Sequence, residues 1–543
     1  MPRIRTEIVR PKGISKDLSP YELPQDVWSD GDNVTFRRYR ANKAEGYDDI
    51  FAATYTDKPT FLQYFTDGQS NKFLMMDFGN AYTIQGATET LVGSSFKASR
   101  EASWTGCNLN GVTVVNNRND HPQVLNPDTF AEMVDLPNWD SPLPEDVREA
   151  LDPETAAELD IWGEASRCEV IRPYKNFLIA LDCYDQNGVR YPEMIRWSNG
   201  AAAGDVPDSW NPQDAGDRAG LYSLSDTPGR CLDGLTLGDY FIVYKSDSVW
   251  TMQFIGGELT MSFRKLFGTE GGALSKECIV DFEGQHFVLT PDGAYVHNGA
   301  SRQEIMEKWV KDELFENVSP TYKLQTKVVA DHPNKEIWIY YTSKDATTEW
   351  ADRALIWNWD TQLWSTRDLT GISYIAQGRI DPDAPNYPSW DETVGSWDDQ
   401  TDFWDNGVKP LNAVPFKLLL GDYVNNKLYV NEVGVQTLGV DVVGFVERIG
   451  LDFDDDRVMK YVSRIVPHVR NQTEVSAPVT IKIYAEEVIT ESPTEEATIV
   501  FTPGVDHDID CHVVGRWIGV RFEGTELWEL TGFTIEWEPA GQF

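Results

Sequence analysis

GQHFVLTPDGAYVHNG, residues 284–299, sets two short apolar runs on either side of a tight polar turn. In the turn, Pro291 presets φ, Asp292 can hydrogen-bond nearby backbone and Gly293 tolerates positive φ, so the stretch predicts an antiparallel hairpin. The same plan returns in NKFLMMDFGNAYTIQG (71–86), KNFLIALDCYDQNGVRYPEMIRWSNG (175–200), GDYFIVYKSDSVWTMQFIG (238–256) and KEIWIYYTSKDATTEWADRALIWNWDTQLWSTRDL (335–369). Asn187-Gly188 and Asn298-Gly299 add further turn signals. Each stretch reads as half of a propeller blade, and their spacing of about 45 to 60 residues falls in the range of blade repeats.

From about residue 446 the pattern changes. VTIKIYAEEV (479–488), HVVGRWIGVRFEG (512–524) and LTGFTIEWEP (530–539) alternate apolar and polar residues at the strand period. Ile518, Val520 and Phe522 would share one face, as would Phe533, Ile535 and Trp537. The expected fold class is all-β: a β-propeller over 61–445 with insertions at about 141–162 and 385–410, an appended C-terminal β-sandwich over 446–543, and few helices. An N-terminal arm, 1–60, is the candidate for closing the propeller. One helix is expected within SRQEIMEKWVKDELFEN (301–317), capped by Ser301 and striped by Ile305, Trp309 and Val310.

Composition bounds the function. The 543 residues include 87 acidic and 47 basic side chains, a formal charge of −40 that repels nucleic-acid phosphates and anionic membranes. No apolar run is long enough to span a bilayer, and the opening residues lack the apolar segment of a secretory signal, so a chain made in a cytoplasm without a membrane anchor is expected. The six cysteines form no CxxC pair, which fits reduced thiols better than disulfides or a zinc site.

Signatures of chemistry are scarce. GTEGGALSK (268–276) lacks the spacing of a phosphate loop, and neither HExxH nor GxSxG occurs. VDHDIDCH (505–512) holds potential metal ligands, but on a strand His507 and Cys511 would face away from Asp508, Asp510 and His512. LDFDDDR (451–457) reads as a solvated acidic turn without the spacing of a calcium loop. No catalytic residue, cofactor or metal ligand is therefore expected.

The most unusual stretch is SWDETVGSWDDQTDFWDNG (389–407), which places Trp390-Asp391, Trp397-Asp398 and Trp404-Asp405 at intervals of seven. Seven is too short for a repeat that yields one Trp-Asp per blade. The preferred reading is a staircase of turns in which each aspartate accepts local backbone N–H bonds and each tryptophan packs on the next. A stacking platform for sugars and calcium held by the aspartates are the weaker readings.

LSPYELPQDVWSDGDNVTFRRYRANKAEGYDDI (18–50), the 284–299 hairpin, the Trp-Asp tandem and the closing GRWIGVRFEGTELWELTGFTIEWEPAG (515–541) together resemble tail hub or nozzle proteins of short-tailed bacteriophages, also called packaged-DNA stabilisation proteins. The resemblance implies a propeller with appended β domains, assembled as a homohexamer around the tail axis below the portal and adaptor rings. It implies a structural virion protein, not an enzyme, that retains packaged DNA and lets the duplex pass at ejection without specific binding, with tail fibre or tailspike proteins as neighbours. Trp390, Asp391, Trp397, Asp398, Trp404 and Asp405 would then stiffen a loop at a subunit contact or channel mouth. The rival expectation is a propeller that binds glycans or hydrolyses them as a virion depolymerase. Basic Arg37, Arg38, Arg40 and Lys43 are candidates for pairing with an acidic neighbour, with a solvated basic patch as the equal alternative.

Overall fold

A computed structural model of the chain describes residues 4–9, 12–68, 70–140, 161–163, 165–212, 216–257, 260–267, 271–380, 414–472, 477–489 and 493–542. Five four-stranded antiparallel meanders follow one another along the chain. Blade one runs from Phe61–Thr66 to Thr88–Ser94, and blade two from Thr105–Leu109 to Met133–Asp135. Blade three runs from Arg167–Tyr174 to Gly220–Ser223, blade four from Cys231–Leu237 to Met261–Phe267, and blade five from Ile279–Phe282 to Arg302–Glu304. The predicted hairpin at 284–299 is the middle of blade five, with Thr290 paired to Gly293 across the turn.

A seven-stranded sheet supplies the last two blades, because the long strand Leu363–Arg379 serves both. Its first part pairs with Ala351–Asn358 and its second part with Phe416–Asp422, with a register shift at each junction. Blade six is thus Lys327–Asp331, Glu336–Tyr341, Ala351–Asn358 and the start of the long strand. Blade seven is the end of that strand with Phe416–Asp422, Lys427–Asn431 and the N-terminal Tyr47–Asp48.

The ring closes through its packing. Successive apolar clusters join blade one to two (Leu74, Val115), two to three (Val114, Ile171), three to four (Ile179, Val243) and four to five (Ile242, Val288). Others join five to six (Phe287, Trp357), six to seven (Trp338, Leu418) and seven back to one (Leu419, Met75). Each inter-blade contact buries apolar side chains of both sheets, which leaves few sheet edges open to other chains.

Gly46 governs the seam at which Tyr47–Asp48 enters blade seven. Its N–H donates to the Gly434 carbonyl and its own carbonyl accepts from Val433. A Cβ placed on Gly46 would lie 1.7 Å from the Gln436 carbonyl oxygen, and the obstacle is backbone that cannot rotate aside. Gly46→Ala is therefore expected to cost roughly 2 kcal/mol or more, the scale of forced overpacking, read by urea unfolding of the purified variant.

The remaining strands form a sandwich. One sheet orders Asp30–Asp32, Gly444–Leu451, Trp517–Gly524, Val479–Glu486 and Glu495–Phe501. The other orders Val34–Arg37, Arg40–Lys43, Trp528–Gln542, Val458–Asn471 and Ile509–Gly515, with Ile4–Val9 also on Trp528–Gln542. Ile518, Val520 and Phe522 face Phe533, Ile535 and Trp537 across the interior. The same apolar cluster runs on through Trp28, Phe36 and Trp309 into blades five and six, so sandwich and propeller share one core.

The helix differs from its expected span. It covers Lys308–Asn317, begins at Glu307 without a side-chain cap, and buries Trp309, Val310 and Leu314. Residues Arg302–Glu304, expected inside it, form the outer strand of blade five instead. Strand pairing with Gly293–His297 wins there, and the Ser301 hydroxyl bonds Asn298 in a turn.

Candidate functional site

Buried charges link the inner strands of the propeller. On the inner strands of blades three and four, Arg172 and Asp233 form a buried two-pronged pair, Nε to Oδ1 at 2.8 Å and Nη2 to Oδ2 at 2.9 Å. Arg172 Nη1 also donates to the Gly106 carbonyl of blade two at 2.9 Å. Asp233 Oδ2 accepts the backbone N–H of Glu277 at 2.8 Å, Glu277 pairs with Lys327 at 2.7 Å, and Tyr374 Oη donates to Glu277 at 2.7 Å. The belt thus passes from blade two to blade seven. Burial opposes the Glu277 charge, yet Lys327 and Arg172 hold its carboxyl below the usual range.

Beside this belt lies a partly enclosed cavity of about 620 Å³. Its lining draws on residues from several blades and the loops between them, from Thr60 and Arg118 through Glu169, Arg230 and Lys276 to Tyr341 and Ser373. One wall is ionic: Glu169 lies 3.2 Å from Arg118, 3.6 Å from Lys276 and 3.8 Å from Arg190, which also grips Asp182 at 2.5 Å. Burial lowers the Lys276 ammonium and raises the Asp182 carboxyl. At the mouth, the Arg100 guanidinium sits 4.1 Å from the Trp350 ring centre and 4.8 Å from that of Tyr322, and pairs with Glu349 at 2.6 Å. The volume suits a small ligand and admits no DNA duplex.

The N-terminal hairpin Val34–Arg37 and Arg40–Lys43 forms a second ionic centre, at the seam between propeller and sandwich. Arg37 pairs with Glu336 of blade six at 2.7 Å and Glu432 beyond blade seven at 2.5 Å, while Arg40 pairs with Glu529 of the sandwich at 2.7 Å. Lys43 Nζ donates to the carbonyls of Ala44 and Val435, and burial lowers it to about 8. Arg38 is exposed at the hairpin tip. The acidic partners of Arg37 and Arg40 therefore lie within this chain. Burial, then Glu336 and Glu432, push the nearby Asp331 carboxyl up to about 7. Arg37→Ala leaves Glu336, which is 1% exposed, without its cation. The variant is expected to lose roughly 3–5 kcal/mol and to be cut faster by protease at the seam, measured by limited proteolysis against the parent.

Trp390, Asp391, Trp397, Asp398, Trp404 and Asp405 lie outside the described residues, as does 141–160. The flanks of the Trp-Asp segment are ordered in blade seven: Arg379 pairs with Phe416, and Ile380 N donates to the Pro415 carbonyl at 3.1 Å. Around 141–160, Trp139 and Trp162 are buried between blades two and three with Trp210, and all three rings surround the Arg196 guanidinium at 4.5 to 5.7 Å. Burial lowers Arg196 to about 10.

In the 505–512 stretch the strand begins at Ile509, Cys511 is buried, and Asp510 and His512 face solvent. Arg464 pairs with Asp508 at 3.1 Å and Asp510 at 3.0 Å. At 451–457, Asp452 accepts the Asp454 N–H and Asp455 accepts that of Arg457, so these carboxylates close turns. All six cysteines are free and buried.

The axial charges escaped the sequence reading. The available signal was a charge embedded in an otherwise apolar strand, as at Glu169 and Arg172 in RCEVIRPY and at Asp233 in CLDGLTL.

No family model and no curated protein matches the chain. Solved structures that resemble it include YCF48 bound to D1 peptide, at 9% identity over 72% of this chain and 98% of that one, with a TM-score of 0.36. Apo AztD from Citrobacter koseri matches at 12% identity over 63% and 94%, TM-score 0.31. An exo-beta-1,3-galactanase from Phanerochaete chrysosporium with galactose matches at 8% identity over 82% and 97%, TM-score 0.27. At such scores none of them bears on ligand or partner, and the propeller rests on its own closed ring of blades.

Proposed function

We propose that this chain is a structural virion protein, the tail nozzle or hub of a short-tailed bacteriophage, which retains packaged DNA below the portal and adaptor and lets it pass at ejection. The observation that carries the reading is the meeting in one core of separate stretches that carry the resemblance. Trp28, Val34 and Phe36 of the N-terminal motif pack in the same cluster as Phe287 and Leu289 of the 284–299 hairpin and as Ile518, Phe522 and Phe533 of the closing stretch. The motif is thus a stitch between propeller and sandwich, a part that a rigid ring subunit needs and an isolated propeller does not.

In this reading each propeller is a wall element, and the passage for DNA lies between copies, with six around the tail axis. The charge of −40 per chain suits such a passage, because acidic side chains repel a sliding duplex within about 8–10 Å at cellular salt. In this reading the protein is not an enzyme and lets DNA pass without binding it specifically, and its neighbours are the adaptor and portal ring and the tail fibre or tailspike proteins. Phage particles assembled without the chain are expected to spill their DNA after packaging; particles that keep it on a density gradient contradict the reading.

A further inference from the structure

Among the described residues, four two-residue hairpins hold both turn residues at positive φ. Three of them carry glycine second: Asn110-Gly111 between Leu109 and Val112, Glu283-Gly284 between Phe282 and Gln285, and Leu438-Gly439 between Thr437 and Val440. The fourth is Arg38-Tyr39, at φ 53° and 58°, between the paired Arg37 and Arg40. Two bulky L side chains are strained in this conformation, where Asn-Gly is at ease. Strain kept at an exposed turn is the mark of side chains in use.

Within the chain these two side chains hold nothing. Tyr39 is 54% exposed with Arg38 exposed beside it, and among the described residues neither makes a hydrogen bond, ion pair or ring contact. The strands beneath are pinned, Arg37 by Glu336 and Glu432, and Arg40 by Glu529, which Arg470 also grips at 2.6 Å. Arg38, Tyr39, Arg40 and Thr531 line a recess of about 430 Å³, and among the described residues no carboxylate lines it with them. A tyrosine and an arginine on a rigid mount combine the residue types of interface hot spots with a low ordering cost on binding.

We propose that the Arg38-Tyr39 tip docks on an acidic face of a second copy of this chain, a carboxylate of which enters the recess. The proposal rests on the nozzle reading for the presence of neighbouring copies, and it locates one of their contacts. Charge selects the occupant: with 87 acidic and 47 basic side chains a copy offers a mostly anionic surface, and two such bodies meet most favourably where one presents cations. A DNA duplex is the poorer match, because duplex binding draws on many phosphate contacts, whereas Arg40 and Arg470 are engaged on Glu529 and Arg38 alone is uncommitted.

The test is light scattering of the full chain at rising concentration, alone and on portal–adaptor particles of the same phage. Arg38→Glu is expected to raise the concentration needed for assembly at least tenfold, and Arg38→Lys to restore part of the loss. The double variant Arg38→Asn with Tyr39→Gly separates use from strain. It is expected to unfold at a higher urea concentration than the parent, yet to assemble at least tenfold less well. A parent that forms six, matched by Arg38→Glu or by the double variant, would overturn the docking tip and leave the nozzle reading standing. A parent that associates in neither setting would overturn both. A fluorescent DNA duplex that binds the parent and is lost in Arg38→Glu would assign the tip to DNA and overturn the proposal.

Discussion

Arg172→Ala is expected to destabilise the propeller by about 3–5 kcal/mol, the cost of leaving one partner of a buried ion pair uncompensated. Asp233 is 2% exposed and would keep its buried charge without the two bonds from the guanidinium. The Gly106 carbonyl of blade two would lose its donor as well. Urea unfolding followed by tryptophan fluorescence reads the loss as a lower midpoint. The double variant Arg172→Met with Asp233→Leu removes both charges and is expected to recover more than half of it, because a well-packed apolar pair can match a buried ion pair. A single variant that unfolds at the parent midpoint would show that the belt does not hold the inner strands together.

The second large effect is expected in acid. Between blades four and five, Tyr244 Oη lies 2.6 Å from His297 Nε2 and 2.7 Å from His286 Nδ1. The proton positions follow from the outer partners. Gly299 N–H donates to His297 Nδ1 at 3.2 Å, so His297 holds its proton on Nε2 and donates to Tyr244. Tyr244 then donates to His286 Nδ1, and His286 Nε2–H donates to the Thr236 carbonyl at 3.1 Å. Every acceptor nitrogen is occupied, so adding a proton to either ring breaks a bond. Burial, then His286 and Arg302, lower His297 from 6.5 to about 3, and burial lowers His286 as well.

A group neutral in the fold and protonated in the unfolded chain lends stability that is full above pH 6.5 and is lost as pH falls toward the folded value. For His297 alone the loss at pH 4.5 is about 2.5 kcal/mol relative to pH 7.5. Other groups titrate in the same range, so the readout is a difference between variants. His297→Gln is expected to be less stable than the parent at pH 7.5 but to lose about 2 kcal/mol less than the parent between pH 7.5 and 4.5. Equal losses in parent and variant would show that the histidine chain is not the acid-sensitive seam.

These two sites show where sequence reading stops. The hairpins were legible because each is local: Pro291 and Asp292 turn the chain, and Thr290 pairs with Gly293 across them, a strand residue where a positive-φ turn glycine was expected. The sandwich was legible for a similar reason, since alternation alone places Ile518, Val520 and Phe522 on one face, and all three are buried. The helix start was misplaced because Ser301 is a good cap in isolation, whereas residues 302–304 gain more by completing a sheet. Blade seven was hidden because one long strand serves two blades, while the N-terminal arm, the candidate for closing the ring, supplies its last strand at Tyr47–Asp48.

The axial ion pairs were hidden by the same non-locality. Arg172 and Asp233 lie on different blades, as do Glu277 and Tyr374, and only closure of the ring brings each pair together. Arg37 illustrates the opposite error. Its basic neighbourhood read equally as a pairing with an acidic neighbour or as a solvated patch, but Glu336 and Glu432 of the same chain fold onto it. Residues that look available along the chain are consumed by the fold wherever a segment must stitch two domains.

The measurement that tests the central claim most directly is the mass of the purified chain by light scattering, alone and after mixing with portal–adaptor particles of the same phage. The nozzle reading predicts an assembly of six chains, or a monomer that becomes six only on those particles. A chain that stays monomeric and ignores the particles would contradict it.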